Sequence, residues 1–398
     1  MPTPLYRVAV PCMSLLAGLA TLAVAGAEPS VAPGQPSQPV GPGIPPAPAS
    51  PDPAPALTAP APASVQPPSG QPSAAQPALA SEPTRKPSAP GSIYAGEAAL
   101  LAKGFAFTEG PLYIATGRLA NHWVFSDIPN GTIHSLTLGN DLAKATDLAK
   151  PALFLAKTRR ANGLAMAADG RLICAESDGS VGAWEPLALP AESSSIIPTR
   201  TALVETFASK RFNSPNDLCI GKSGDVYFTD PGYFAPTGVP RPQPCEGVYR
   251  IAPVKVGDST STAQSGDAVA TLISDEYKRP NGVCLSPDGK LLYVGDAGTG
   301  EVYFHAVSDD GSVGKDRTKL GDIKGVKAAG RGGVDGLKCD SAGNVHVTGP
   351  GGIWCFSPKG EWLDRVELPY ASNFAFGGPD GKDILITSGK EIWRARLR

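Results

Sequence analysis

A repeating pattern of polar and hydrophobic positions runs from residue 93 to the end of the 398-residue chain. Each unit opens with Asn, Asp or Glu, followed in most units by Gly or Asp and then by apolar residues. A turn rich in Gly and Asp comes next and leads into an alternating apolar segment. The six opening residues stand 53, 54, 65, 54 and 38 positions apart and are Glu109, Asn162, Asn216, Asn281, Asp335 and Asn373.

The turns of these units have the composition of β-hairpins. Asp-Gly pairs at 169–170, 288–289 and 380–381 favour the positive φ that a tight turn between two strands needs. The segments that follow, such as 226–228 and 291–294, are rich in the aromatic and aliphatic residues that favour strands. A further strand is predicted in most units, at 247–251, 301–306, 352–356 and 391–397.

The length of the repeat indicates the fold. The 306 residues from 93 to 398 give 51 residues for each of six units, and four-stranded units of this length are typical of propeller blades. The sequence therefore predicts an all-β, six-bladed β-propeller over residues 93–398, with segment 97–103 completing the last blade. A β-sandwich or barrel is the alternative, but neither accounts for a polar residue at one fixed phase of each unit.

The first 92 residues differ sharply in composition from the rest. Arg7, the apolar run 15–25 and the small residues 25–27 form the pattern of a signal peptide over residues 1–27. Residues 28–92 hold 20 of the 42 prolines and few large apolar side chains, which predicts a disordered Pro/Ala-rich tether. We therefore expect an exported protein, periplasmic or extracellular, with no membrane span in the mature chain. A removable propeptide and an uncleaved anchor are the alternatives.

Charge and cysteine content narrow the choice of partners. The 35 basic and 37 acidic side chains nearly balance, and no basic run is present, which argues against nucleic acid and anionic membranes as partners. The seven cysteines have no metal-knuckle spacing. Cys219, Cys284 and Cys339 occupy nearly matching places in the repeats, which favours reduced, buried strand positions, although export would permit disulfides.

The opening residues of the repeats suggest a metal site. Equivalent positions of successive propeller blades converge on the central channel, so Glu109 and Asp335 would meet there with the four opening asparagines. Two carboxylates with amide oxygens, and without His or Cys, form the hard ligand set that suits Ca²⁺. The alternative is that these residues satisfy turns and backbone amides, because Asn-Gly and Asp-Gly are common turn dipeptides.

Several motifs carry a resemblance to one known family. They are FTEGP (107–111), FNSPNDL (212–218), FTDPGY (228–233), RPNGVCLSPDGKLLYVGD (279–296), GGVDGL (332–337), GPGGIW (349–354) and NFAFGGPDG (373–381). In order and spacing the chain resembles the gluconolactonase, senescence-marker-protein and luciferin-regenerating-enzyme family. Two departures concern the substrate: Tyr113 stands where Trp is common, and segment 175–179 lacks a run rich in His and Arg.

The resemblance implies both a cofactor and a set of roles. It implies one divalent cation, most often Ca²⁺, in the channel of a six-bladed propeller. Glu109, Asn281 and Asp335 match the family's metal ligands, and Asn216 matches a fourth channel residue that binds metal or substrate. Asp335 also matches the proton acceptor, with Asp217, Asp230 and Asp296 as less favoured candidates.

These inferences lead to a hydrolase that opens a small lactone, of the gluconolactone type, by metal-assisted attack of water on the ester carbonyl. The chain has no Gly-x-Ser-x-Gly elbow, and its four histidines fall in or beside predicted strands, which argues against a serine hydrolase. Two alternatives stay open. One is a hydrolase of another lactone or a phosphotriester, and the other is a non-catalytic propeller that binds Ca²⁺ and a partner.

Overall fold

Antiparallel strands make up the regular secondary structure of the protein. The computed structural model describes residues 92–117, 119–138, 149–185, 187, 198–234, 240–253, 269–322 and 331–398. Within these ranges there is no helix, and hence no helical segment long and apolar enough to cross a bilayer. The predicted signal peptide and nearly all of the predicted tether lie outside the described residues.

Four of the sheets have four strands each, joined in chain order as meanders. The first two comprise β5 (Ala161–Met166), β6 (Leu172–Glu176), β7 (Ser180–Glu185) and β8 (Thr199–Val204), then β11 (Leu218–Ile220), β12 (Val226–Asp230), β13 (Gly247–Ile251) and β14 (Ala270–Ser274). The next two comprise β15 (Pro280–Leu285), β16 (Leu291–Asp296), β17 (Glu301–Ala306) and β18 (Thr318–Asp322), then β19 (Leu337–Cys339), β20 (Val345–Gly349), β21 (Gly352–Phe356) and β22 (Trp362–Glu367).

A fifth sheet joins the two ends of the described chain. Its six strands lie in the order β23-β24-β1-β2-β3-β4. They are β1 (Ala99–Ile114), β2 (His122–Asp127), β3 (Thr132–Leu136), β4 (Ala152–Ala156), β23 (Asn373–Gly377) and β24 (Asp383–Arg396). A small hairpin of β9 (Thr206–Phe207) and β10 (Lys210–Arg211) completes the strands of the described residues.

The long strands β1 and β24 change partners along their length. The first part of β1 pairs with β24, from Ala99 opposite Arg394 to Lys103 opposite Glu391. The second part pairs with β2, from Thr108 to Ile114. Residues 99–103 of the segment predicted to complete the last blade thus pair with the strand at the end of the chain. The structure also confirms an all-β, propeller-like arrangement, in which five sheets have four or more strands; the count of six blades stays a prediction.

Hydrophobic side chains fill the space between consecutive sheets. Strand β6 illustrates this: Leu172 and Cys174 pack into one buried cluster, and Ile173 and Ala175 pack into the next. Because successive side chains of a strand point to opposite faces, a strand covered on both sides is apolar at every position. This explains why the strand sequences read as nearly continuous apolar runs that end in a polar residue.

Neighbouring sheets also touch through the backbone of their first strands. The amides of Gly163, Gly282 and Gly336 each donate a 2.8 Å hydrogen bond to a carbonyl of the next unit. Side-chain hydroxyl groups make the contacts between the other neighbouring units. These hydrogen bonds are Ser126 Oγ to Asn162 O, Thr229 Oγ1 to Asn281 O and Ser372 Oγ to Thr108 O.

These contacts explain the glycine that follows four of the six opening residues. A Cβ on Gly282 would lie 2.2 Å from the carbonyl oxygen of Asp335, and one on Gly336 would lie 2.2 Å from Asn373 Oδ1. Gly163 and Gly282 lie inside strands rather than in turns. The alternative that Asn-Gly marks a turn is therefore wrong at these two positions, because the missing side chain serves close packing of strands.

We expect Gly282→Ala to destabilise the protein. The added methyl group would meet backbone atoms of Asp335 and Leu337, so the two strands would have to separate, at a cost of about 1–3 kcal/mol. Gly333→Ala is the matched control, because nothing lies within 4 Å of its added Cβ. The free energy of unfolding, measured by denaturant titration, should fall for the first variant and stay near wild type for the second. Equal stability of the two variants would contradict this account.

Candidate active site

Five of the six opening residues lie at or just before the start of a strand, and Glu109 lies where β1 begins to pair with β2. Five of them, all except Asp335, are at most 8% exposed, and Asp335 is half-buried. Glu109 lies in β1, Asn162 in β5, Asn281 in β15 and Asn373 in β23. Asn216 and Asp335 each lie two residues before a strand. The backbone contacts between neighbouring strands therefore fix the chain beside the opening residue of each unit.

Contacts between side chains join most of these residues. Asn373 Nδ2 donates to Glu109 Oε2 at 3.0 Å, so the sixth unit meets the first. The Asn281 side chain and the charge of Glu109 both act on the carboxyl group of Asp335. Asn216 joins through its backbone, which accepts the Gly163 amide. The structure thus brings Glu109, Asn281, Asp335 and Asn373 together by direct contact or through short-range charge.

Burial and mutual repulsion disfavour the ionised form of both carboxyl groups. Burial raises the pKa of Glu109 to about 7, with a further rise from the charge of Asp217, while the Gly110 amide and Asn373 oppose it. Burial also raises the pKa of Asp335 well above its ordinary value, and the charges of Glu109 and Asp217 add to that rise. A bound cation would reverse this balance, because its charge favours the ionised carboxylates.

Two amide oxygens of the opening residues have no hydrogen-bond donor. Asn281 Oδ1 and Asn162 Oδ1 are buried and unpartnered, which is costly for a carbonyl oxygen in the interior. Asn281 Oδ1 and the carboxylates of Glu109 and Asp335 are the all-oxygen chemistry that fits a hard divalent cation. Among the described residues no three His, Cys, Asp or Glu side chains group as a metal site. The proposed set has two such residues and relies on amide oxygens for the rest.

Asp217 and Lys338 also lie at this centre, and sequence reasoning did not bring them together. Lys338 Nζ lies 3.1 Å from Asp217 Oδ2, and Asn373 Nδ2 lies 3.4 Å from the same oxygen. Burial lowers the pKa of the Lys338 ammonium group, but the Asp217 carboxylate more than offsets this effect and raises it above its ordinary value. The signal in the sequence was that each of these residues is charged, whereas the equivalent residues of the other units are not.

Asp230 and Asp296, two of the weaker candidates for the proton acceptor, support loops instead. Asp230 accepts the backbone amides of Asn213 and Ser214 at 2.8 and 2.6 Å. Asp296 accepts the amides of Lys278 and Arg279, both at 3.1 Å. Each carboxylate thus holds the loop that leads into an opening residue. The four histidines lie on β2, β3, β17 and β20, as the sequence indicates.

An aromatic and basic rim surrounds the half-buried Asp335. Asn281 Nδ2 donates to the Tyr233 hydroxyl at 3.0 Å, and the Arg279 guanidinium lies 5.3 Å from the centre of the Tyr233 ring. Burial raises the pKa of Tyr370, and the charges of Asp335 and Glu109 add to the effect. This rim can contact a polar substrate. Residues 235–239, which continue from it, lie outside the described residues.

The fold and the site together define a propeller-like, all-β protein with an oxygen-rich centre. The chain belongs to the SMP-30/Gluconolactonase/LRE-like family, whose model matches residues 107–390.

Similar proteins agree with this assignment. The gluconolactonase of Zymomonas mobilis is 30% identical over 325 residues, covering 75% of this chain and 81% of that protein. A lactonohydrolase of Aspergillus oryzae is 27% identical, covering 71% of this chain and 65% of its own length. Among solved structures, a gluconolactonase from Xanthomonas campestris has a TM-score of 0.60 at 24% identity, covering 77% of this chain and 91% of its own.

A second solved structure concerns calcium. The calcium-binding protein regucalcin from Agrobacterium tumefaciens has a TM-score of 0.57 at 20% identity, with 77% of this chain and 95% of that chain covered. At this level of identity, both structural matches establish a shared fold.

The raised pKa of Glu109 predicts a pH dependence of stability in cation-free protein. The unfolded chain ionises this group near pH 4.5, whereas the folded protein keeps its proton to about pH 7. Stability should therefore fall as pH rises between these values, by an amount on the order of 3 kcal/mol. Glu109→Gln removes the titration and keeps an oxygen for Asn373, so it should gain stability relative to wild type as pH rises.

Urea denaturation of both proteins at pH 5 and pH 8, with a chelator present, measures this difference directly. Most other ionisable groups are shared by the two proteins, so their effects cancel in the comparison. A difference in stability that stays constant between the two pH values would contradict the assignment of a buried, protonated Glu109.

Proposed function

We propose that this protein is an exported, Ca²⁺-dependent hydrolase that opens a sugar lactone of the gluconolactone type. Membership of the family makes it a lactone hydrolase in class. The observation that carries the finer proposal is the buried, unpartnered Asn281 Oδ1 next to Glu109 and Asp335. Uncompensated oxygens of this kind favour a cation over a purely structural centre.

The proposal includes the architecture of the whole chain. We infer that the six-stranded sheet comprises two blades that meet where β1 changes partners, between Lys103 and Thr108. Residues 99–103 would then be the outer strand of the sixth blade, and residues 108–114 the inner strand of the first. Residues 1–27 would direct export, and residues 28–92 would tether the propeller.

Four residues would hold the cation. Glu109 and Asp335 supply charge, while Asn281 and Asn216 supply neutral amide oxygens. Bound there, a divalent cation would polarise the lactone carbonyl and help to acidify the attacking water. Tyr233 fixes the Asn281 amide by accepting a hydrogen bond from its Nδ2, and Oδ1, which has no donor, would be available to the cation.

Asp335 would accept the proton of the attacking water. It is the least buried of the six opening residues, and the rim that contains Tyr233 and Tyr370 lies beside it. Asn216 would bind the substrate or the cation, and Arg279 would contact polar groups of the lactone at the rim. The fixed positions of these groups reduce the entropy lost when substrate and water are oriented.

Glu109→Gln and Asp335→Asn should each weaken cation binding and remove most hydrolysis. Each change removes one anionic ligand and nearly preserves shape, so the protein should remain folded. For Asp335→Asn the loss of rate should be roughly 100-fold or more, because the proton acceptor is lost as well. Asp288→Asn, the same change at an exposed site, is the control and should behave as wild type. Calorimetric Ca²⁺ titration and initial rates on a lactone panel measure both effects.

Asn281→Ala should weaken the site less, because a neutral oxygen contributes less than a carboxylate to holding a hard cation. Excess Ca²⁺ should partly restore hydrolysis in this variant but not in Asp335→Asn. Rates measured against Ca²⁺ concentration test the contrast. Full rescue of Asp335→Asn by Ca²⁺ would show that this residue is a ligand without a role in proton transfer. Wild-type Ca²⁺ affinity in both carboxylate variants would overturn the site.

A further inference from the structure

Two further sets of equivalent positions, here called columns, follow the opening residues of the repeat. The residue after each opening residue is glycine in four units, and the others are Asp217 and Phe374. The residue three positions after each opening residue lines a cavity of about 850 Å³, and this ring consists of Leu112, Ala165, Cys219, Cys284, Lys338 and Phe376. Asp217 and Lys338 are the charged members of their columns.

These two exceptions to the pattern contact each other. Lys338 Nζ lies 3.1 Å from Asp217 Oδ2, although the residues are 121 positions apart in the chain. The Asp217 side chain is 3% exposed and that of Lys338 is 23% exposed. A charge at either place would be costly alone, since the surrounding ring is apolar. The two charges therefore compensate each other across the channel.

A side-chain amide links the Asp217–Lys338 pair to the proposed cation site. The Asn373 amide bridges the two levels, because its Nδ2 lies 3.0 Å from Glu109 Oε2 and 3.4 Å from Asp217 Oδ2. The other oxygen of Asp217 accepts the backbone amide of Leu218 at 2.9 Å. Asp217 is thus a third buried carboxylate, linked to Glu109 through the Asn373 amide. A backbone amide, the Asn373 amide and Lys338 hold it in place.

We propose that Lys338 is a positioning residue that neutralises Asp217 and keeps this carboxylate out of the cation's ligand set. The inference rests on the proposed cation-dependent function. It leaves Glu109 and Asp335 as the two charges presented to a divalent cation, which matches its charge. With a third uncompensated carboxylate the cation would be held more tightly, and it would withdraw less electron density from the substrate carbonyl.

This proposal predicts opposite effects from the two halves of the pair. Lys338→Met leaves Asp217 uncompensated and should tighten Ca²⁺ binding about tenfold or more while lowering kcat. Asp217→Asn leaves the ammonium group uncompensated and should weaken Ca²⁺ binding by about the same factor. The double variant should return to within about threefold of the wild-type Kd, because both charges are gone. Lys338→Arg should remain near wild type.

Calorimetric Ca²⁺ titration of the full chain gives the affinities, and initial rates give kcat and KM. Lys222→Met, which makes the same substitution at an exposed position, controls for the change in net charge. If Lys338→Met fails to fold, the double variant and Asp217→Asn carry the test. Weaker or unchanged Ca²⁺ binding in Lys338→Met, or a double variant as weak as Asp217→Asn, would overturn the proposal.

Measurements on the wild-type protein distinguish an error in the role of Lys338 from an error in the proposed function. If wild type binds Ca²⁺ and hydrolyses a lactone while the signed effects are missing, the role of Lys338 is wrong and the function stands. If wild type binds no divalent cation, the cation-dependent function itself is wrong.

Discussion

Close backbone contact between the first strands of neighbouring units is the constraint on which the central site depends. Gly163, Gly282 and Gly336 donate amide hydrogen bonds to the next unit, at separations that leave no room for a Cβ. Each contact fixes the backbone immediately beside an opening residue. The polar side chains of separate units are consequently held at one centre by the same bonds that hold the sheets together. Burial of most of these side chains strengthens the electrostatic interactions among the charges at that centre.

Charge balance follows from this enclosed geometry. Glu109, Asp217 and Asp335 place three carboxyl groups in the interior, and Lys338 supplies one compensating charge. Protons can neutralise the remaining two groups in the cation-free protein, as the raised pKa values of Glu109 and Asp335 indicate. A divalent cation would neutralise the same two groups while also satisfying Asn281 Oδ1. The carboxylates of Glu109 and Asp335 can therefore be balanced by two positive charges, from two protons or from one divalent cation.

Periodicity and residue type predicted the fold class and the convergence of the opening residues, because both depend on patterns repeated in every unit. The pairing of segment 97–103 with the chain end was also predictable, since each blade needs four strands. The Asp217–Lys338 contact was not, because a charge at one position of a single unit stands out from its equivalents but does not show which residue it contacts. The turn role that was the alternative for the Asn-Gly pairs fails at Gly163 and Gly282, since a dipeptide does not reveal how closely another strand approaches. The loop roles of Asp230 and Asp296 likewise required the observed amide contacts.

The central claim is that strands from separate units assemble one cation site from carboxylate and amide oxygens. Diffraction from crystals of the protein grown with Ca²⁺ tests this claim most directly. The account predicts a cation at the centre, with Asn281 Oδ1 and carboxylate oxygens of Glu109 and Asp335 at about 2.3–2.6 Å from it. A centre without a cation at saturating Ca²⁺, or a cation held by Asp217 in place of Asp335, would contradict the account.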